Sequence, residues 1–182
     1  HTAEMAAEIL QAKGHLPVMA PVMPYTLSDV SMPFAGTITL SSETVILFTM
    51  DLARSFAHHG FKRFVVFCHH GERPNLFALQ EAAEKSKEAY GIDVLICTTL
   101  IDAMPRMGEV LDGEYPHMDW HAGEFETSLY LWKHPHLVKR DMLPQLPAVW
   151  SNIREKFKEG AKDFIEAGAP QCYLGDPSLA SA

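Results

Sequence analysis

Two short stretches of the chain combine residue types that could carry metal or acid–base chemistry. In the first, His70 and Glu72 follow the apolar run Phe64–Phe67 and stand two positions apart. If the backbone is still extended there, both side chains point to the same side and could bind one divalent ion or two neighbouring ones. On spacing alone, a structural histidine beside a solvated glutamate is favoured by roughly two to one. Both interpretations stay open at this point.

The second stretch covers residues 121–128 and reads HAGEFETS. His121 precedes a helix that we expect to begin near Phe125, and a turn with the small residues Ala122 and Gly123 follows it directly. The positive end of a helix dipole favours a neutral imidazole, which suits a general base. An ordinary helix start with early glutamates fits the same residues equally well.

A predicted strand–helix–strand unit positions the first stretch. The run Phe64–Phe67 is apolar, β-branched and aromatic, which is typical of a strand buried on both faces of a sheet. Arg73–Asn75 is predicted to turn the chain into an amphipathic helix over Leu76–Tyr90, and a second buried strand follows over Asp93–Cys97. The two strands should be parallel. The histidine–glutamate pair would then lie beyond the carboxyl end of a strand, where open α/β sheets bind ligands.

Alternating strands and helices predict an α/β fold, with three α/β/α layers around a mostly parallel sheet. We expect one domain over residues 1–182, incomplete at both ends: it opens abruptly on a helix without an initiator methionine, and it stops at Ala182 where another helix could start. The remaining predicted elements include a helix from Ala3 to Gly14, a strand over Leu16–Val22, and a helix capped by Ser41 or Ser42 that runs through His58 or His59. Further along are a surface insertion or lid over Ala103–Met118, a helix that begins near Phe125 and ends before Pro135, and a helix over Asn152–Ala167 that Gly160 weakens.

The composition limits the possible functions. The chain of 182 residues has a formal charge of -8, and without a basic stripe it is not expected to bind nucleic acid. No apolar run is long enough to cross a bilayer. Its 3 cysteines are widely spaced, as in a reduced cytoplasmic protein, and 10 histidines make a metal site worth considering.

Several motifs occur in an order that resembles the creatininase family of metal-dependent amidohydrolases. They are PFAGTITL at 33–40, HGFKRFVVF before the histidine-containing turn, HAGEFETS, HPHLV at 134–138, and GDPSLAS near the end. Together they cover nearly the whole chain. The chain is therefore identified as a divergent member of that family, without the family's N-terminal Glu-x-His segment.

The resemblance implies a centre of two divalent ions (Zn, Mn or Fe) and assigns roles to individual residues. His70 and Glu72 match metal ligands, and His1 falls where the family's bridging aspartate stands. His121 matches the histidine that passes a proton to the leaving nitrogen, and Glu126 matches the glutamate of an ETS motif; these two are the expected catalytic residues. The implied reaction is attack of a metal-activated water on a carbonyl. A homo-oligomer, a hexamer in this family, and a small-molecule substrate are also implied.

Departures from the family pattern bear on the substrate. Gly71 stands where creatininases have a tyrosine. Trp120 is the one candidate to replace the tryptophans that close over creatinine in the family, and Asp119 lies near the position of the family's substrate-binding aspartate. These three residues are the expected substrate contacts, and the differences argue against creatinine. Three hypotheses remain: a hydrolase of a small cyclic amide or formamide, a hydrolase that opens a cyclic ketone (inositol- or sugar-derived) by C–C cleavage, and a non-catalytic member with a degraded metal site.

Overall fold

The structure, a computed structural model, describes residues 2–98 and 103–182, leaving aside the side chains of residues 104 and 105. Contacts between residues divide the chain into two compact units. The first unit comprises His1–Ser28 and Ile38–Ile101, and the second comprises Asp29–Thr37 and Asp102–Ala182. Whether they form the single predicted domain stays a prediction. In the described residues, no helix has the length and apolarity required to span a membrane.

The first unit contains the predicted strand–helix–strand arrangement. Its elements are α1 (Thr2–Ala12), α2 (Ser42–His58), β1 (Arg63–Phe67), α3 (Arg73–Tyr90) and β2 (Asp93–Cys97). The two strands are parallel, with Arg63 opposite Asp93 and Phe67 opposite Cys97. The α/β class and the parallel pairing are therefore confirmed.

The core of the first unit lies between one face of this sheet and two helices. Side chains of α2 and α3 pack against alternate strand residues; those strand residues are Phe64, Val66, Val94 and Ile96. On the opposite face, Val65 and Leu95 are 39% and 50% exposed. The prediction of strands buried on both faces is wrong for the described residues, because both helices cover the same face.

The third helix begins earlier than predicted. Arg73 and Pro74 belong to the first turn of α3 rather than to a separate turn. A proline is tolerated there because its missing N–H would have no partner within the helix. Gly91, whose φ is +68°, ends the helix in the left-handed conformation that glycine adopts without strain.

The predicted strand over Leu16–Val22 is wrong. The structure assigns no strand there, and Leu16 and Val22 are 91% and 90% exposed. Pro17 and Pro21 cannot donate backbone hydrogen bonds, which disfavours pairing with a neighbouring strand.

The second unit is built from short elements. It contains α4 (Glu124–Lys133), α5 (Ile153–Lys158) and several short 3-10 segments. Two antiparallel bridges, His121 with Leu174 and Val149 with Gly175, join the chain near its end to earlier segments. The described part of the predicted insertion over 103–118 forms 3-10 turns and contributes the buried Met107. The predicted helix over 152–167 stops before Gly160, as its weakness suggested.

Candidate functional site

His70 and Glu72 lie in contact at the end of β1. His70 Nε2 and Glu72 Oε2 are 3.0 Å apart. The glutamate side chain is 4% exposed and the imidazole 30% exposed, so the pair is accessible mainly from the histidine side. Glu72 is also the residue that precedes α3, and its side chain does not cap that helix. Its carboxylate is therefore turned towards the imidazole instead of towards the helix.

The chemistry of this pair fits a divalent metal ion. Imidazole nitrogen and carboxylate oxygen are both zinc ligands, and two ligands on one tetrahedral zinc lie roughly 3.4 Å apart. The observed separation of 3.0 Å requires little adjustment. Among the described residues, no group of three or more His, Cys, Asp or Glu could hold a metal ion. That this pair supplies two ligands of the predicted centre stays a prediction. His1 lies outside the described residues, so its predicted role stays a prediction.

His121 is held in the second unit with one ring nitrogen engaged. Its Nδ1 donates a hydrogen bond to the backbone carbonyl of Cys172, and its ring stacks on Phe164 with centroids 5.5 Å apart. A proton on Nδ1 leaves the lone pair on Nε2, which is the tautomer that an acid–base histidine needs. Cys172 has a φ of +65°, a left-handed conformation that non-glycine residues rarely adopt.

Asp119 is 2% exposed and holds the start of α4. Its carboxylate accepts hydrogen bonds from the backbone N–H groups of Glu124 (2.7 Å) and Phe125 (3.3 Å). Burial raises the pKa of Asp119 to about 6, against these two amides, which lower it. Asp119 therefore anchors the helix that follows His121, and its predicted contact with substrate stays a prediction.

The two helix glutamates next to Asp119 also bind backbone. Glu124 is buried, and its carboxylate accepts hydrogen bonds from the backbone N–H groups of Asp112 and Gly113. Glu126 Oε2 accepts a hydrogen bond from Ala122 N at 2.7 Å. Ala122 has a positive φ of 48°, so this bond stabilises an uncommon turn conformation directly after His121. The predicted catalytic role of Glu126 stays a prediction.

The other two predicted substrate contacts are accessible to different degrees. Gly71 is exposed in the turn between His70 and Glu72. Trp120 is half-buried against the core of the second unit, and the Arg154 guanidinium lies 4.5 Å from the centre of its ring.

The predicted residues fall into two groups. The first unit holds His70, Gly71 and Glu72 together, and the second unit holds the remaining predicted site residues, 119–121 and 126. That both groups serve one site stays a prediction.

Sequence reasoning missed the polar residues behind these groups. Asn75 is fully buried and contacts both Cys68 and His70, whereas the sequence assigned it to a turn. The carbonyl of Cys172 orients His121 from fifty-one positions away. The sequence signal that could have indicated Asn75 is a polar residue at the start of an amphipathic helix. No sequence pattern indicates that the carbonyl of Cys172 contacts His121.

An α/β fold with a histidine–carboxylate pair at a strand end is an arrangement found in metal-dependent enzymes. The family described as "Creatininase: Creatinine amidohydrolase" matches residues 1–182. The chain therefore belongs to the creatininase family, as the sequence motifs predicted. A comparison with curated proteins finds no match.

Solved structures similar to this chain are creatininases. A mutant creatininase of Zn–Zn type is 22% identical, with a TM-score of 0.59 over 86% of this chain and 63% of that one. A mutant complexed with creatine is 21% identical, with a TM-score of 0.61 over 86% and 65%. A manganese creatininase is 23% identical, with a TM-score of 0.57 over 81% and 59%. At these identities the likeness shows the fold, and the chain spans less than two thirds of each of these structures.

Proposed function

We propose that the protein is a divalent-metal-dependent hydrolase of a small cyclic amide or formamide. The observation that carries the proposal is the contact between His70 Nε2 and the buried Glu72 carboxylate, 3.0 Å apart at the end of a parallel strand. Membership of the creatininase family supports an amidohydrolase-type reaction. The zinc and manganese forms among the similar structures support one of these two ions as the cofactor. Iron is a third candidate, which only the family resemblance implies.

Each candidate residue would have a separate role in the proposed reaction. His70 and Glu72 would hold a divalent ion, which when bound supplies an acidified water and polarises a carbonyl. His121 would move a proton at Nε2, because its Nδ1 is committed to the carbonyl of Cys172. Glu126 would maintain the turn that presents His121, through its bond to Ala122. Two ions per site, as the family resemblance implies, are part of the proposal.

The substrate would differ from the creatine bound in one of the similar structures. Gly71 offers no side chain at the centre of the metal-ligand turn, and Trp120 is already stacked with Arg154. Together with Asp119, these residues are the proposed substrate contacts. The proposed substrate is a small ring that does not need two aromatic walls. A cytoplasmic location and a homo-oligomer, with a hexamer as the first expectation, complete the proposal.

The test is a screen of the zinc- and manganese-loaded protein against lactams, cyclic formamides and cyclic ketones, with products identified by mass spectrometry. We expect ring opening of an amide or formamide. Turnover of a cyclic ketone instead would show that the enzyme cleaves a C–C bond and not a C–N bond. Metal binding without any turnover would indicate a non-catalytic family member.

His121→Asn tests the acid–base role in the same assay. We expect kcat to fall by roughly 100-fold or more while metal content is unchanged, because a positioned acid or base contributes about that much. His136→Asn, a change at an exposed histidine in the same unit, is the matched control and should keep full activity. Equal activity of the two variants would remove His121 from the reaction.

A further inference from the structure

A buried polar network lies directly behind the histidine–glutamate pair. Asn75, in the first turns of α3, is 0% exposed. Its Nδ2 group lies 3.4 Å from Cys68 Sγ and 3.5 Å from the carbonyl oxygen of His70. Its Oδ1 accepts a hydrogen bond from the Thr26 hydroxyl. Cys68 Sγ also donates to the carbonyl of His70, at 3.3 Å.

The network fixes the turn from both of its ends. Cys68 N donates to Cys97 O at 2.9 Å, which extends the hydrogen-bonding of the sheet one residue beyond β1. Asn75 belongs to α3, which begins one residue after Glu72. The carbonyl of His70 therefore accepts hydrogen bonds from a group attached to the sheet and from a group attached to the helix.

We propose that Asn75 is a positioning residue for the metal-ligand pair, acting with Cys68 through the carbonyl of His70. The inference rests on the proposed metal-dependent function and adds to it the residue that keeps the two ligands aligned. An apolar side chain would fill a fully buried position at less desolvation cost, whereas both the donor and the acceptor of this amide are engaged. Removing residues that orient metal ligands commonly weakens metal affinity about 10- to 100-fold.

The test compares zinc affinity in three proteins, measured by competition with a chromophoric chelator. Asn75→Ala removes the amide, and Thr49→Val is the matched control, since Thr49 is a buried polar residue of α2 in the same unit. The thermal unfolding midpoint is recorded for each protein. We expect the Asn75 variant to bind zinc at least 10-fold more weakly than the wild type, and the Thr49 variant to bind it within 2-fold.

Equal zinc affinity of the wild type and Asn75→Ala would overturn the inference, as would an equal loss in both variants, which would indicate general loosening. A wild type that binds no zinc or manganese would instead overturn the proposed function, and the inference with it. The two failures are thus distinguishable.

A second pair of variants applies if Asn75→Ala does not fold. Cys68→Ala removes the thiol donor to the carbonyl of His70, and Cys68→Ser restores a donor at the same place. We expect weaker zinc binding in the alanine variant and recovery in the serine variant, with similar unfolding midpoints. Zinc affinity that is the same in both variants and in the wild type would contradict the proposal.

Discussion

The buried carboxylate of Asp119 binds the start of α4, and its titration should be measurable. Burial raises the pKa of Asp119 to about 6 although two backbone amides of α4 donate to it. A raised pKa means that the folded state favours the protonated carboxyl. Its contribution to stability is complete below pH about 4 and is lost as the pH rises through 6.

Asp119→Asn should therefore change the pH dependence of stability. Between pH 4 and 7, the free energy of unfolding of the wild type should fall by about 3 kcal/mol relative to the variant, from a shift of about two pKa units. Urea unfolding at a series of pH values measures this, and other titrating groups cancel in the difference. A difference that stays constant with pH would show that Asp119 has an ordinary pKa.

Ser86 differs from Asp119, because its buried hydroxyl makes no hydrogen bond within the described part of the chain. It is 0% exposed in α3, and within the described part of the chain its Oγ has no hydrogen-bond partner. Ser86→Ala should raise the free energy of unfolding by about 1 kcal/mol, because an unsatisfied buried polar group is removed. Ser55→Ala is the control, since the Ser55 hydroxyl is exposed and donates to the carbonyl of Asp51. Destabilisation by Ser86→Ala would reveal a partner for the hydroxyl.

At the scale of elements, apolar periodicity was enough to predict the strand–helix–strand unit. The two strands and the end of α3 at the left-handed Gly91 depend on nearby residues only. They can therefore be predicted from short windows of sequence. The exposure of Val65 and Leu95 has no local cause, because it depends on which face of the sheet the helices cover. The apolar segment Leu16–Val22 misled for a similar reason: its residues are hydrophobic, but its prolines disfavour strand pairing.

The start of α4 depends on a close backbone approach at Gly123. A Cβ at this position would lie 2.3 Å from Asp119 Oδ2 and 2.6 Å from the carbonyl oxygen of Leu174. Gly123→Ala should therefore lower the free energy of unfolding by about 3 kcal/mol, the cost of overpacking a tight site.

The matched control is Gly108→Ala, whose Cβ would meet only Pro116 Cγ, at 3.9 Å. Its effect should be less than about 1 kcal/mol, as is usual where no overlap arises. Chemical denaturation of both variants gives the comparison. Similar stability of the two would mean that the backbone at 123 yields easily, and that Asp119 does not depend on the close approach.

For the whole molecule, the family could be identified from the sequence because its motifs occur in order along the chain, and the family match over residues 1–182 confirms it. The contact between His70 and Glu72 was also predictable, since alternate residues of an extended segment share a side. The supporting residues were not predictable, because Asn75 and Cys172 act through long-range contacts with backbone carbonyls.

The proposed function depends on metal binding by His70 and Glu72. His70 and Glu72 supply two ligands from one turn, so loss of the imidazole should remove half of this ligand pair. His58→Ala is the matched control, because His58 is an exposed histidine of α2 in the same unit. Both variants should retain the unfolding midpoint of the wild type within a few degrees.

The decisive measurement is the zinc and manganese content of the purified wild type, His70→Ala and His58→Ala after loading and removal of free ions, by plasma mass spectrometry. We expect stoichiometric metal in the wild type and the His58 variant, and none in the His70 variant. A wild type without bound metal, or a His70 variant that retains as much metal as the wild type, would contradict this expectation.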